Sequence, residues 1–562
     1  MPPEDDTTPA AAPPHDVVPA TTIPSPAPSE RPARSSGKSG GGARKSAAGA
    51  KKSSSGARKA AGAAPKAAGP ARRSRAEARR PSSRRDVLTV TSDQGGLLPN
   101  GFRFGVATAG FQIEGGFNGP GEPANNWVRW ERVGRVEPSG VAADFWNRYE
   151  EYLDRTVDIG CDAFRLGVEW ARVETRPGEF DDEALDRYAA ILAACGERGL
   201  EPLVTLHRFT HPAWLGEDFW LSREAPGRYA AWVDVAVRRL GGSCRHWVTL
   251  NEINALALGS YLIGIFPPGR SWAFADMATA SDHMLAAHVR AYEIIHGLQA
   301  DATVTTNNVA LSLYELDRML VDVLMARSLG VARAELHRWL EERRSAWYSG
   351  VAPPSPLERL LRRVSTRRAM SAAMLPAAIE AVWSSPFERT LDVTGIDYYD
   401  PVVARHARPP GHVTAGGRSW RAGRQLWDDK VDPSGLVTYL RSYRTGDLPL
   451  WVVENGLCNR VRRGRSYPRL DGWDRGRYLE ANLRALAGAL DAGLPVGAYY
   501  HWSLMDNYEW GSYEPRFGIF GIDRERGVRV LGTDAMGHDA AGAYRKLIEA
   551  MRAGDRSLLA AR

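Results

Sequence analysis

The sequence predicts an α/β fold, a (β/α)8 TIM barrel that follows a disordered, basic N-terminal tail. Three observations support this: a break in composition near residue 95, strand-like runs that alternate with helical patterns beyond it, and polar side chains where those runs end. Strands alternating with helices pair in parallel through right-handed crossovers, and eight such units close into a barrel. The predicted domains are therefore the tail, residues 1–95, and the barrel, residues 96–555.

The predicted tail consists mainly of Ala, Pro, Ser, Gly, Lys and Arg. Residues 1–95 contain no aromatic residue, whereas all 18 tryptophans lie in the remaining chain. Such a segment cannot bury enough apolar surface to offset its conformational entropy, so we expect disorder.

The positive charge also belongs to the tail. Residues 1–86 hold 17 Lys and Arg against 7 Asp and Glu, a net charge of +10, whereas the whole chain carries +7. The remaining chain is therefore slightly acidic, at about −3. A basic segment of this kind can contact nucleic acid or another polyanion without sequence specificity. A solvated tether, or a start codon placed too far upstream, explains it equally well.

Signals for export or membrane insertion are weak. Residues 83–88 resemble a twin-arginine signal, but no apolar stretch follows them, and no run of 18 apolar residues exists. The four cysteines have no metal-ligand spacing. We therefore expect a cytoplasmic protein with reduced thiols and no membrane span.

Eight strand-like runs follow the tail, and helical patterns separate most of them. The segment 181–198 is one such helix, with apolar residues at helical spacing. Residues 314–385 read as outer helices plus a loop, around 351–356, that overhangs the site. The predicted strands are 103–109, 162–170, 200–207, 246–252, 302–308, 392–400, 448–456 and 497–506.

Two of these strands end in a glutamate, Glu252 and Glu454, each after an apolar run. In a parallel barrel both would project from the carboxyl-terminal rim into one cleft. Two carboxyl groups in one cleft can cleave a glycosidic bond, one as a protonated acid and the other as an ionised nucleophile. An ion pair with a neighbouring loop is the alternative for either residue alone.

Six segments in order resemble glycoside hydrolase family 1, the retaining β-glucosidase and β-galactosidase-like enzymes. They are residues 102–115, 163–170, 249–252, 395–399, 453–456 and 501–510. The resemblance implies that Glu252 is the general acid/base and Glu454 the nucleophile. It also implies that Arg165 and Tyr399 hold Glu454 from two sides.

The resemblance implies a set of glycone-binding residues as well. Asn251 would donate to the 2-hydroxyl and Gln112 would bridge two hydroxyls. Trp502 would form the apolar platform under the sugar ring, since C–H faces stack on aromatic rings. Glu509 and Trp510 match the pair that contacts the 4- and 6-hydroxyls. Core packing is the alternative for each tryptophan.

Three features depart from the family pattern. Arg208 stands where a histidine usually contacts the 3-hydroxyl, and arginine is always charged and only donates. In the subsite it suits a carboxylate or sulfate; turned to Glu509, it removes a sugar contact. Asp397 stands where Asn is usual and adds a possible negative charge. The Ser, Lys and Tyr set that binds phosphate in the 6-phospho-glycosidase branch is absent after Trp510, which disfavours phosphorylated sugars.

The sequence therefore predicts a retaining β-glycosidase that acts on a small-molecule or oligosaccharide β-glycoside through a covalent glycosyl-enzyme. Transglycosylation is possible where an acceptor outcompetes water. The alternative from another class is a catalytically weak sugar-binding protein on the same barrel, because fold does not guarantee activity. No metal or organic cofactor is expected, since two carboxyl groups supply the chemistry.

Overall fold

The computed structural model describes residues 96–311, 313–350, 370–399, 431–462, 465–525 and 527–559. The predicted tail, residues 1–95, and the predicted overhanging loop around 351–356 lie outside the described residues.

In the described part, eight parallel strands form the barrel. Their order around it is β5, β4, β3, β2, β1, β8, β7, β6 and again β5. The ring closes on β5, because its first segment pairs with β4 and its second with β6. The predicted fold class is confirmed. The strands are β1 (Arg103–Ala107), β2 (Ala163–Gly167), β3 (Glu201–Thr205), β4 (His246–Val248), β5 (Thr303–Thr305 and Asn307–Val309), β6 (Thr394–Asp397), β7 (Leu450–Asn455) and β8 (Val496–Trp502).

Each predicted strand overlaps one barrel strand, but most of the strands end earlier than predicted. The run 246–252 contains a strand of three residues, β4, and Glu252 lies in the loop that follows it. The apolar pattern continues past the last ladder hydrogen bond, so it overstates strand length.

Alternate positions along the strands face the barrel interior and the helices. In β2, Ala163 packs in the small cluster inside the barrel, whereas Phe164 and Leu166 pack in the large core under the helices. Period-2 alternation then directs Arg165 inward with Ala163.

Eight outer helices cover the barrel: α1 (Phe145–Asp158), α2 (Asp182–Glu197), α3 (Ala225–Leu240), α4 (Phe274–Leu298), α5 (Pro376–Ser384), α6 (Pro433–Tyr443), α7 (Arg475–Asp491) and α8 (Ala540–Arg552). Further α-helices are Gly110–Ile113, Val128–Arg132, Trp170–Val173, Ile253–Ala257, Arg318–Met325 and Leu336–Gly350, and a π-helix spans Leu258–Ile263. The 3₁₀ turns are Ala213–Leu215, Phe219–Leu221, Tyr314–Leu316, Arg327–Leu329, Arg333–Glu335, Ala372–Met374 and Arg556–Leu559. Three short hairpins pair Glu174–Arg176 with Glu179–Phe180, Arg460–Arg462 with Arg465–Tyr467, and Ile522–Asp523 with Arg529–Val530.

Helix α2 shows why these segments are helical. Asp181 caps it, because its carboxylate accepts the N–H of Ala184 at 3.0 Å and satisfies one of the free donors of the first turn. Its apolar stripe, which includes Leu185, Tyr188 and Ile191, is buried against the barrel. The helix predicted over 181–198 is confirmed within one residue at each end.

No helix among the described residues is both long enough and apolar enough to cross a membrane. All four cysteines are buried and carry free thiols. A cytoplasmic location stays a prediction.

Candidate active site

A bulge in β7 turns Glu454 into the barrel. Val452 pairs with Ile396, but Glu454 pairs with Asp397, so β7 advances two residues while β6 advances one. Val452 and Ile396 both pack toward the helices. Without the extra residue, Glu454 would also face the helices, since side chains alternate along a strand.

Glu252 reaches the same cleft from a loop. It lies four residues after the end of β4, at the start of the helix Ile253–Ala257. Its backbone is left-handed, with φ 44° and ψ 59°, a conformation that costs energy for a residue other than glycine. Glu252 is only 7% exposed, so neighbouring groups surround it and hold the backbone in this strained conformation.

The two glutamates and Asp397 lie within reach of one another. One carboxylate oxygen from each of the three lies within 4.8 Å of the others. Carboxyl groups of retaining glycosidases lie roughly 5–5.5 Å apart, whereas inverting enzymes need a gap of about 6.5–9.5 Å for a water molecule. The separation seen here fits the retaining geometry.

Arg165 and Tyr399 hold Glu454 from two sides. Arg165 donates from Nη1 to Oε1 at 2.6 Å, and Tyr399 donates its hydroxyl to Oε2 at 2.6 Å. Arg165 is itself fixed by a 3.0 Å bond from Nε to Thr205 Oγ1 and by a bond to Asn251. Because Arg165 and Glu454 are both fully buried, this pair is little screened by solvent.

Arg208 also binds Glu454. Its Nη1 donates to Oε1, and its Nη2 donates to Oε2 at 3.2 Å. The guanidinium carbon lies 4.0 Å above the centre of the Trp502 ring. The sequence suggested that Arg208 either enters the sugar subsite or turns to Glu509. In the structure its hydrogen bonds go to the predicted nucleophile, and it lies over the predicted sugar platform.

The two glutamates have opposite pKa shifts. Burial raises the pKa of Glu252 to about 8, with a further contribution from the negative charge of Glu454. Burial also acts to raise the pKa of Glu454, but Arg208 and Arg165 outweigh it and hold that pKa below its ordinary value. At neutral pH the site therefore contains one protonated and one ionised glutamate.

Asp397 adds a third carboxyl group to the site, and its pKa is raised. Burial, and then the charge of Glu454, raise its pKa well above the ordinary value. Asn307 donates from Nδ2 to both Asp397 and Asn251. Asn251 lies beside the predicted general acid, with its Nδ2 3.4 Å from Glu252 Oε2. The raised pKa favours the neutral form of Asp397, so its surroundings oppose the added negative charge suggested by the sequence.

Gln112 and Glu509 lie together at another part of the site. The amide nitrogen of Gln112 donates to Glu509 at 3.1 Å and to Asn507 at 2.9 Å, while its carbonyl oxygen has no hydrogen-bond partner among the described residues. Burial raises the pKa of Glu509 to about 7. An unpaired buried acceptor and a half-protonated carboxyl suit the binding of sugar hydroxyls.

The two predicted sugar-binding tryptophans differ in environment. Trp502 is buried at the end of β8, in the small cluster inside the barrel. Trp510 is half-buried and contacts the rings of Phe209, Trp127 and Phe266 at 4.8, 5.5 and 5.8 Å between centroids. Trp510 therefore also belongs to an aromatic cluster that supports the rim.

Three supporting residues were missed as site members: Thr205, Asn307 and Asn507. Each fixes a predicted site residue by a hydrogen bond. Asn307 ends the fifth predicted strand and Asn507 lies within the motif 501–510, so their positions offered a signal. The sequence did not indicate which residues these amides bind, because an amide at the end of a strand has many available partners.

A cation site is chemically disfavoured at the three carboxyl groups. Glu252, Asp397 and Glu454 are close enough together to bind a metal ion. However, two arginines already bind Glu454, and the raised pKa values of the other two groups keep them protonated. The absence of a metal stays a prediction.

Comparison with known proteins gives a family match over most of the chain. The sequence model described as "Glycosyl hydrolase family 1" matches residues 94–535. The curated relatives include "6-phospho-beta-galactosidase 1" of Streptococcus pneumoniae, 25% identical over 78% of this chain and 97% of its own length. "6-phospho-beta-galactosidase" of Staphylococcus aureus is 26% identical over 76% of this chain and 94% of its own.

Solved structures show the same fold. "Beta-glucosidase from Thermotoga maritima in complex with noeuromycin" aligns with a TM-score of 0.61 at 22% identity, over 80% of this chain and 98% of its own. The same protein in complex with galacto-hydroximolactam aligns with a TM-score of 0.61 at 23% identity, over 81% of this chain and 99% of its own.

Proposed function

Because the chain belongs to glycosyl hydrolase family 1 and is an O-glycosyl hydrolase, we propose that it cleaves β-glycosides by double displacement through a covalent glycosyl-enzyme. The family supports a retaining β-glycosidase in general. The observation that carries the mechanism is the pair Glu252 and Glu454, with carboxyl oxygens within 4.8 Å and pKa shifts in opposite directions.

In the first step, the Glu454 carboxylate attacks the anomeric carbon and the glycosidic C–O bond breaks. Glu252 gives its proton to the departing oxygen, so the leaving group departs as an alcohol. The pKa of about 8 supplies this proton at neutral pH. Arg165 and Tyr399 keep Glu454 ionised and aimed at the anomeric carbon.

In the second step, water attacks the anomeric carbon and Glu454 departs as a carboxylate. Glu252 takes the proton from that water. Glu252 is now ionised and free to accept a proton, because Glu454 lost its negative charge when it became an ester and no longer raises the pKa of Glu252. Two inversions give net retention at the anomeric carbon.

The proposed glycone site lies between Trp502 and the polar groups around it. Asn251 stands beside Glu252, where a 2-hydroxyl would be, and Gln112 offers an unpaired carbonyl oxygen. Glu509, bonded to Gln112, would contact the hydroxyls at the far end of the sugar. Trp510 would line that end from the aromatic cluster.

The names of the relatives leave the glycone open. The curated relatives are named for a 6-phosphorylated galactoside, whereas the solved structures are named as β-glucosidases. Glu509 is only half-protonated near neutral pH and would repel a phosphate dianion, which favours a glycone without phosphate.

Arg208 favours a second candidate, a poorly active sugar-binding protein on the same barrel. It binds both carboxylate oxygens of the proposed nucleophile, so it competes with substrate for them.

Transglycosylation is compatible with the same proposed mechanism. It needs only an acceptor that replaces water in the second step.

The mechanism is tested with aryl β-glycosides of glucose, galactose, fucose, xylose and glucuronic acid. We expect wild-type turnover of at least one, and a loss of about 10⁴-fold or more in Glu454→Gly, which lacks the nucleophile. Azide should restore turnover in that variant, with an α-glycosyl azide as product, because it attacks through the cavity left by the side chain. Proton NMR of the wild-type reaction should show the β-anomer forming first.

Glu183→Gln is the matched control, since Glu183 is an exposed glutamate in the first turn of α2. It should retain wild-type rates. An α-anomer as the first product would exclude double displacement. A folded wild-type protein that binds sugars but turns over none of the five glycosides would favour the binding protein.

A further inference from the structure

Arg208 occupies the position that the proposed function gives to the glycone. Its guanidinium lies 4.0 Å above the face of Trp502, the proposed platform, and binds both oxygens of Glu454, the proposed nucleophile. A sugar stacked on Trp502 with its anomeric carbon at Glu454 would overlap this guanidinium. Substrate binding therefore has to separate Arg208 from Glu454, an inference that rests on the proposed function.

The separation would destabilise Arg208 more than Glu454. Glu454 would keep the hydrogen bonds from Arg165 and Tyr399. Arg208 is 5% exposed, and among the described residues Glu454 accepts all of its side-chain hydrogen bonds, while its Nε has no partner. A guanidinium stays charged at any working pH, so it would remain buried without a counter-ion.

The neighbouring carboxyl groups do not supply that counter-ion at neutral pH. Burial raises the pKa of Glu252 to about 8 and that of Asp397 well above its ordinary value, and Glu509 is half-protonated near pH 7. Two buried arginines thus face one fully ionised carboxylate, Glu454. The closed site carries excess positive charge, which an anionic substrate would neutralise.

We propose that Arg208 is a specificity-determining residue that selects a glycone bearing an anionic group, which takes the guanidinium over from Glu454. A carboxylate accepts two parallel N–H bonds from a guanidinium, and a phosphate or sulfate does so as well. A neutral sugar has only hydroxyls to offer, which leave the charge uncompensated. The carboxylate of a uronic acid is the favoured group, because it carries one negative charge where a phosphate dianion carries two, so a partly ionised Glu509 opposes it less.

The test compares aryl β-glucuronide, aryl β-glucoside and aryl 6-phospho-β-glucoside. In wild type, kcat/KM for one anionic glycoside should exceed that for the glucoside by about 100-fold or more, the factor expected from leaving a buried charge unpaired. The preferred substrate identifies the anion as carboxylate or phosphate. Arg208→Gln should lower the ratio by about 100-fold, and Arg208→Lys should retain roughly a tenfold preference.

Arg318→Gln is the matched control. Arg318 is an equally buried arginine, paired with Asp322 and bonded to Ser442 and Thr445. Its loss should lower the melting temperature but leave the substrate ratio unchanged. A second measurement needs no variant: glucuronate or glucose 6-phosphate should raise the wild-type melting temperature more than glucose does.

A wild-type kcat/KM that is higher for the glucoside than for both anionic substrates overturns the inference and leaves the proposed function intact. Silence on all three substrates counts against the proposed function only when the galactoside, fucoside and xyloside are not turned over either. The shifts in melting temperature then decide the inference separately, because equal shifts with glucose and with both anions would overturn it.

Discussion

Three carboxyl groups of almost equal burial differ in protonation because of their immediate partners. Glu454 accepts hydrogen bonds from two arginines and a tyrosine, which lower its pKa. Among the described residues, no cation donates a hydrogen bond to Glu252 or Asp397, so burial and the charge of Glu454 raise their pKa values. Partner identity, more than burial, thus separates acid from nucleophile.

The raised pKa of Asp397 is compatible with its departure from the asparagine that the sequence resemblance leads one to expect. A protonated carboxyl group has one donor and one acceptor side, as an amide has. Asn307 donates to one oxygen of Asp397, and the other oxygen has no hydrogen-bond partner among the described residues. Asp397 can therefore take the place of asparagine without adding charge.

The pH dependence of kcat/KM tests the protonation states. Glu454 must be ionised, so activity falls on the acid side below its lowered pKa; Glu252 must be protonated, so activity falls on the basic side near pH 8. In Asp397→Asn, the apparent pKa of the basic limb of the profile should stay within about half a unit of the wild-type value, because the change replaces one neutral group by another.

A basic limb displaced downward by a unit or more in Asp397→Asn would contradict this prediction. It would mean that Asp397 is ionised in the free enzyme, since removing a nearby negative charge lowers the pKa of Glu252. Asp234→Asn, a change at an exposed helical residue paired with Arg238, should leave both limbs unchanged.

Two local irregularities in the strands and loops orient the proposed catalytic pair. The bulge in β7 turns Glu454 inward, and the left-handed backbone of Glu252 turns the loop after β4 into the cleft. Bulges and strained residues recur next to active sites for this reason. Regular continuation of either segment would separate the two carboxyl groups.

The outer helices depend on caps that lie far from the chemistry. Asp181, Asp474 and Asp539 each accept a backbone N–H in the first turn of α2, α7 and α8. Asp181→Ala should lower the free energy of unfolding by about 1 kcal/mol, because a first-turn donor loses its partner. Chemical denaturation measures the loss, and kcat/KM should stay at the wild-type value.

Asp186→Ala is the control within the same helix. Asp186 is exposed and pairs with Arg239 on the surface, where ion pairs contribute about 0–1 kcal/mol. Equal destabilisation by the two changes would show that surface charge, and not the cap, sets the stability of α2.

The whole barrel brings residues from distant parts of the chain into one site. Gln112, Arg165, Arg208, Glu252, Tyr399, Glu454 and Trp502 follow seven different strands or lie within them. Parallel strands place all their carboxyl ends at one rim, so these residues converge although almost 400 positions separate the first from the last.

The uneven charge of the chain gives a prediction for the full-length protein. Residues 1–86 carry +10 and the remaining chain about −3. Removing residues 1–95 should abolish retention on heparin at neutral pH and low salt, while kcat/KM for an aryl glycoside stays unchanged. Salt elution of both proteins provides the measurement. Retention of the truncated protein at the same salt concentration would place the polyanion-binding surface on the barrel.

The sequence by itself determined the fold class and the strand order along the chain, and it predicted the two glutamates as the catalytic pair. These follow from local signals: periodicity, capping residues and polar side chains after apolar runs. It also singled out Arg208 and Asp397 as departures, because a change of residue type is visible without coordinates.

Only the tertiary structure decided how these residues act on one another. Strand alternation alone directs Glu454 toward the helices, and the register of β7 against β6 reverses that. The pairing of Arg208 with Glu454, its position over Trp502 and the raised pKa of Asp397 depend on groups that are remote in sequence. Hydrogen bonding, burial and charge are set by distances in space, and a linear pattern does not contain those distances.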